Sequence, residues 1–225
     1  KTFDFQVHSK YSFDSLSDIK KIKERAMERG IDGVAITDHE TIRGGIESIK
    51  YTDSDFLFIP GQEIKTEVGD IIGLMINEKI SSKVFHEVVD QINDQQGIVY
   101  LPHPSRKLKL SKKDIKENID VLESVNGRST RNENLYSKKL ALDLNIPYAG
   151  GSDAHTIREI GKVKTIFSKE VFSLDDLKKV MIDQSIQRTI LGSGSYNILN
   201  NFQSSFIGTL KTGKIREFAK GISKK

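Results

Sequence analysis

Residues 17–39 read SDIKKIKERAMERGIDGVAITDH, and their pattern decides the fold class. Ile19, Ile22, Ala26 and Met27 recur at the spacing of one helical face, which predicts a helix over 17–29 closed by Gly30. Val34, Ala35 and Ile36 follow as a short apolar strand that stops at Thr37-Asp38-His39. A helix feeding a buried strand that ends on a carboxylate and an imidazole is one unit of an α/β protein whose chemistry lies at the carboxyl ends of its strands.

The unit repeats in both directions. Residues 3–7 alternate as a strand and run into His8. Downstream, the pattern predicts a helix over 41–51, weakened by Gly44-Gly45, and a strand over 56–59 ending at Pro60-Gly61-Gln62-Glu63. A strand over 71–76 precedes a helix over 84–95 with Val84, Val88 and Ile92 on one face. A strand over 98–101 runs into His103, and another over 121–125 into Asn126-Gly127. A helix over 133–144, a strand over 148–151 running into Asp153, and a helix over 174–184 capped by Ser173 with Asp176 complete the series. So many strand–helix units predict a parallel sheet closed into a barrel, spanning residues 1–185. Residues 186–225 then form an extension, a strand and a basic helix packed outside that barrel.

A chain of 225 residues fits one core. Its 36% hydrophobic content contains no run long enough to span a bilayer, and its first residues lack a secretory pattern. The absence of cysteine excludes disulfides, thiolate zinc sites and a cysteine nucleophile, and fits a cytoplasmic location. The net charge of +4 is modest, so its distribution matters more. One basic cluster comprises Arg106, Lys107, Lys109, Lys112, Lys113 and Lys116. A second lies in the tail, at Lys211, Lys214, Arg216, Lys220, Lys224 and Lys225. Both read either as a solvated lysine-rich face or as attraction for a polyanion. The first carries more weight because it follows His103.

Four of the five histidines, His8, His39, His103 and His155, follow predicted strands, as does Glu63, and Asp14, Asp38 and Asp153 lie near them. Imidazole and carboxylate gathered at strand ends form a site for hard or borderline divalent metals. His86 lies off its helical stripe and reads as a surface residue. Gly192-Ser193-Gly194-Ser195 lacks the Gly-Lys-Ser/Thr of a phosphate loop and reads as a turn. No Gly-x-Ser-x-Gly elbow surrounds Ser9, Ser105 or Ser152, which argues against a serine hydrolase.

These residues carry a family resemblance. Asp4-Phe5-Gln6-Val7-His8-Ser9 with Ser12-Phe13-Asp14, then Thr37-Asp38-His39, Glu63, His103-Pro104 and Gly151-Ser152-Asp153-Ala154-His155, resembles the ordered motifs of the PHP (polymerase and histidinol phosphatase) superfamily. Softer matches are residues 69–74, Glu123 with Asn126-Gly127-Arg128, and Glu159-Ile160-Gly161. The resemblance covers about residues 3–168. It implies a distorted seven-stranded TIM-like (β/α) barrel binding two or three Mn, Zn or Fe ions at the C-terminal ends of its strands. It also implies hydrolysis of a phosphomonoester, a nucleotide or a nucleic-acid end by a metal-bridging hydroxide. The metal ligands it implies are His8, Glu63 and Asp153 for one ion, Asp14 and His39 for a second, and His103 with His155 for a third, with Glu63 bridging. Asp153, His155 and Glu63 take the catalytic roles.

Ser9 and Asp38 read as groups that orient a ligand. Arg106, Arg128 and Arg158 are candidates to clamp the substrate phosphate, a small phosphorylated molecule or an oligonucleotide, or else surface charges. Two positions depart from the family pattern. Gln6 stands where a histidine is usual. Asp70 stands where some relatives place a histidine, and reads as an oxygen ligand or a polar strand start. Both departures favour two ions over three. The alternative functions are a binding or regulatory barrel without catalysis and, on fold analogy alone, a metal-dependent carbon–nitrogen hydrolase.

Overall fold

The computed structural model describes residues 1–192 and 198–213. The Ser193-Gly194-Ser195 turn and the tail basic residues from Lys214 onward lie outside them. Seven strands make the barrel: β1 (Thr2–Val7), β2 (Gly33–Ile36), β3 (Leu57–Lys65), β4 (Asp70–Leu74), β5 (Ile98–Leu101), β6 (Val121–Asn126) and β7 (Tyr148–Gly151). β8 (Val163–Phe167) and β9 (Arg188–Gly192) extend the sheet beyond β1, giving the order β7-β6-β5-β4-β3-β2-β1-β8-β9. The ring nearly closes between β1 and β7 through a parallel bridge of Val7 with Ala154. There His8 N–H donates to the Ala154 carbonyl at 2.8 Å, and Ala154 N–H donates to the Gln6 carbonyl at 3.2 Å.

The α/β barrel expected from the sequence is present, but its sheet is not uniformly parallel. β4 runs antiparallel to both β3 and β5. Only residues 66–69 separate β3 from β4, too few for the crossover that a parallel pair requires. β8 and β9 are antiparallel additions at the β1 edge.

Between the strands lie α1 (Ile19–Glu28), α2 (Arg43–Ile49), α3 (Phe85–Asp94), α4 (Lys112–Asn118), α5 (Arg131–Leu144) and α6 (Leu174–Ile182), followed by α7 (Ile198–Thr212). α1 buries Ile19, Ile22 and Ala26 against Val34, Ile36 and Phe58, whereas Met27, expected on that stripe, is 47% exposed. α3 buries Phe85, Val88, Val89 and Ile92; Val84 instead precedes the first turn and is exposed. α4 escaped the sequence reading, although Ser111 and Asp114 cap it reciprocally. Ser173 caps α6 as expected, accepting from Asp176 N–H at 3.1 Å. Phe3, Phe5, Ile59, Ile72, Leu74 and Tyr100 fill the interior, with the Phe3 and Phe5 rings 5.7 Å apart. No helix of the described residues is long and apolar enough to cross a membrane.

Candidate metal centre

The residues at one rim of the barrel owe their placement to strand geometry. In β1 the register shifts between Asp4 and Val7, so Val7 packs with Ile19 and Ile22 of α1 while Gln6 and His8 turn to the rim. His39 leaves β2 and bridges Glu63 of β3 through the backbone. Because β4 runs backwards, its first residue, Asp70, pairs with Lys65 at the end of β3 and so reaches the same rim. His103 follows β5, and Asp153 and His155 follow β7. His103 (φ 28°) and Asp153 (φ 54°) sit in the left-handed region that non-glycine residues rarely adopt. Such conformations persist when surrounding bonds enforce them. For His103, the enforcing bond runs from its N–H to Glu123 Oε2, at 2.8 Å.

Two groups of donors converge. His8, Asp14, His39 and His155 form one, and Glu63, Asp70 and His103 the other, with donor atoms within 4.8 Å of one another in each. This differs from the partition the resemblance implied. His155 joins Asp14, its Nε2 2.9 Å from Oδ2, instead of His103. His103 Nε2 instead lies 3.2 Å from Glu63 Oε1. His39 Nε2 lies 3.4 Å from Asp14 Oδ2. His8 Nε2 stands between the groups, 3.4 Å from both Glu63 Oε2 and Asp153 Oδ1. Its ring lies 4.5 Å from that of His39 and 4.1 Å from that of His155, centroid to centroid.

Electrostatics divide the cluster. Burial and the neighbouring His155 and His39 push His8 down to about 4, so it is neutral at pH 7. Burial also disfavours the charge on His39, but the Glu63 and Asp14 carboxylates outweigh it and hold His39 up at about 10. Glu63 resists its burial through the charge on His39 and the bond with His103, and falls to about 2. Asp14 lies below the usual carboxylate range because bonds from His155 and His39 overcome desolvation. Asp153 is likewise lowered against its burial, by the proximity of His8 and by Arg106.

The donor set fits a divalent cation. Both ring nitrogens of the fully buried His8 lack a hydrogen-bond partner. An orphaned buried polar group costs about 1–3 kcal/mol, and a cation shared with Asp14, His39 and His155 would satisfy one of those nitrogens. The mixture of imidazole nitrogen and carboxylate oxygen without sulfur suits hard or borderline divalent cations.

Gln6 takes a different part. Asn126 Oδ1 accepts from the backbone N–H of Arg128 at 2.9 Å and from Arg106 Nη2 at 2.8 Å. Both donors lack acceptor capacity, so the Asn126 amide orientation is determined and its Nδ2 must face Gln6. Nδ2 donates to Gln6 Oε1 at 3.1 Å, which turns Gln6 Nε2 toward Glu63 Oε2 at 3.0 Å. Gln6 therefore donates to the same carboxylate oxygen that His8 faces.

Of the three arginines singled out, two enter the centre. Arg106 Nη1 pairs with Asp153 Oδ2 at 3.1 Å. Arg128 Nη1 meets His155 Nδ1 at 2.9 Å, and its Nη2 donates to Ser204 of α7 at 2.9 Å. Together with Glu133 and Asn201 they line a cleft of about 300 Å³. Arg158 is instead exposed, its carbonyl accepting from Arg29 at 3.4 Å. Lys107, Lys109, Lys112, Lys113 and Lys116 are exposed, so Arg106 alone of that basic cluster turns inward. His86 is exposed, as expected.

Several supporting residues hold these side chains in place, among them the Ser9–Asp38 pair expected to orient a ligand. Asp38 accepts from Ser9 N–H at 2.6 Å and Ser9 Oγ at 2.7 Å, clamping the residue after His8. Ser12 Oγ donates to Asp14 Oδ1 at 2.7 Å. Ser15 Oγ lies 2.8 Å from the His8 carbonyl and 2.9 Å from that of His155, tying two candidate ligands together. Glu159 Oε2 accepts from His155 N–H at 3.1 Å. Glu159 and Asn126 had a sequence signal in the softer motif matches, and Ser12 in the Ser12-Phe13-Asp14 motif; no local signal marked the role of Ser15.

Known proteins share this architecture. A family model described as PHP-associated (PHP_C) matches residues 131–181. MJ0417, an uncharacterised protein of Methanocaldococcus jannaschii, is 32% identical over 212 residues, 88% of this chain and 85% of its own length. MJ1587 of the same organism is 39% identical over 114 residues, 45% of this chain and 66% of its own length. A two-domain Bacteroides vulgatus protein containing a predicted PHP-like metal-dependent phosphoesterase superposes with a TM-score of 0.73 at 16% identity, covering 86% of this chain and 65% of that one. The lesion-specific endonuclease EndoQ of Pyrococcus furiosus superposes at 0.60 and 16% identity, covering 84% of this chain and 57% of that one. The match thus spans just under two thirds of MJ1587 and of the Bacteroides chain.

Proposed function

This chain belongs to the PHP superfamily, and from that premise we propose that it hydrolyses phosphate esters with two divalent cations held by the two donor groups. The observation that carries the reading is His8, buried, neutral and without a hydrogen-bond partner between two ionised carboxylates. When bound, the cations would neutralise the phosphate and activate water.

The chain's own residues do the rest. Arg106 and Arg128 present guanidinium groups beside Asp153 and His155, suited to phosphate oxygens by planar, two-pronged hydrogen bonding. Asp14, bonded to His155 Nε2, keeps that ring oriented. Glu159 fixes the backbone of His155. Gln6 supports two cations in preference to three, because its N–H occupies the Glu63 oxygen that a further ion between His8 and Asp153 would need. The substrate class is a phosphomonoester, nucleotide or nucleic-acid end; the relatives with phosphoesterase and endonuclease descriptions support that range.

The test is metal analysis of protein purified without chelator, followed by turnover of p-nitrophenyl phosphate in Mn²⁺. Two ions per chain and metal-dependent hydrolysis are expected, with Asp153→Asn inactive but folded. One ion or none, with no turnover in added Mn²⁺, would sink the reading.

A further inference from the structure

The last described helix, α7, reaches the metal centre from the far end of the chain. Its residues Ser204, Gly208 and Lys211 are spaced four and three apart, so they lie along one face. Ser204 is buried and accepts from Arg128 Nη2, whose other nitrogen meets His155 Nδ1. Gly208 is buried flush against the loop that follows β1. A Cβ there would lie 3.2 Å from Phe13 Cδ2 and 3.6 Å from Asp14 Cβ. Lys211 carries its ammonium to a point where three carbonyls of that loop converge: Lys10 at 2.8 Å, Ser12 at 2.7 Å and Ser15 at 2.6 Å. Three carbonyl oxygens aimed at one point repel each other without a cation, and an ammonium offers three donors to match them. The loop itself lacks helix or strand between residues 8 and 18, yet it delivers Asp14.

We propose that α7 is a latch for the Asp14–His39–His155 group, with Lys211 as the residue that positions the Asp14 loop and Ser204–Arg128 the contact that steadies His155. The Glu63–Asp70–His103 group lies on β3, β4 and the exit of β5, elements that the Ser204 and Lys211 contacts do not hold. The metal part of this inference rests on the function proposed above; the positioning part does not.

Two measurements on the full chain separate them. Hydrogen exchange of the metal-free protein reads the loop directly. Lys211→Met keeps the stem and removes the charge, and should speed exchange across residues 10–17 by about tenfold or more while α3 and β5 keep wild-type protection. Mn²⁺ titration reads the consequence: one binding event should weaken by about tenfold and the other stay unchanged. Gly208→Val, which forces a branched side chain against Phe13 and Asp14 with Lys211 intact, should give the same pattern and decides the matter if Lys211→Met does not fold. Unchanged exchange over 10–17 in both variants overturns the latch, whatever the metal content. Faster exchange in a protein that takes up no Mn²⁺ upholds the latch and defeats the metal reading instead.

Discussion

Gln6 controls more of the centre than its neutral side chain implies. Its orientation is inherited, through Asn126, from a backbone N–H and a guanidinium that can only donate. The result is an N–H aimed at Glu63. Gln6→His breaks that chain and offers an imidazole beside His8. The expected outcome is one additional Mn²⁺ per chain by elemental analysis, and an unchanged count would show that Gln6 does not set the number. Gln6 is conspicuous in the sequence because the family pattern it resembles usually has a histidine there. The sequence could not show which way the amide points, since that depends on Arg106 and Arg128, a hundred and more residues away. The grouping of His155 with Asp14 was hidden for a related reason. Spacing identifies ligand types, but the partners are set by loops of irregular backbone.

At the scale of elements, the Gly44-Gly45 pair looks like a flaw in α2 when read by propensity alone. In the structure it is what lets the helix approach the centre. A Cβ on Gly44 would stand 1.9 Å from Asp38 Oδ2 and 2.5 Å from Ser9 Oγ, and one on Gly45 would stand 2.9 Å from the Gly61 nitrogen. Gly44→Ala should gain about 1 kcal/mol of helix propensity yet lose more by displacing Asp38 from Ser9, for a net destabilisation of about 1–3 kcal/mol, as typical overpacking gives. Urea unfolding would measure it, and a more stable variant would refute the packing argument. Helices with strong apolar faces were legible to within a turn. The direction of β4 was not, because a strand's apolar pattern is the same read either way; only the short 66–69 connection carried the information.

For the whole molecule, the charges at the rim make stability depend on pH. His39 is raised in the folded state, so its contribution is complete below its unfolded value of 6.5 and is lost as pH climbs through about 10. Glu123, raised by burial to about 8, contributes below 4.5 and loses that by about 8. Glu63 and Asp14 are lowered, so their contributions are present above the ordinary carboxylate range and disappear in acid. The melting temperature of metal-free protein should therefore fall from pH 7 to 9. Saturating Mn²⁺ should flatten the decline, because cations replace the proton on His39. A flat profile without metal would contradict this assignment. The barrel was legible from its repeating units, while the residues that join its two ends were not, because their pairing is a tertiary event. That closure consists of the single Val7–Ala154 bridge, with His8 on one side and Asp153 and His155 on the other. A slip of one residue between β1 and β7 would turn Val7 into the site and His8 away from it. The chemistry thus belongs to the completed ring: no excised strand–helix unit can carry it, and the register of one seam decides whether the chain has a site at all.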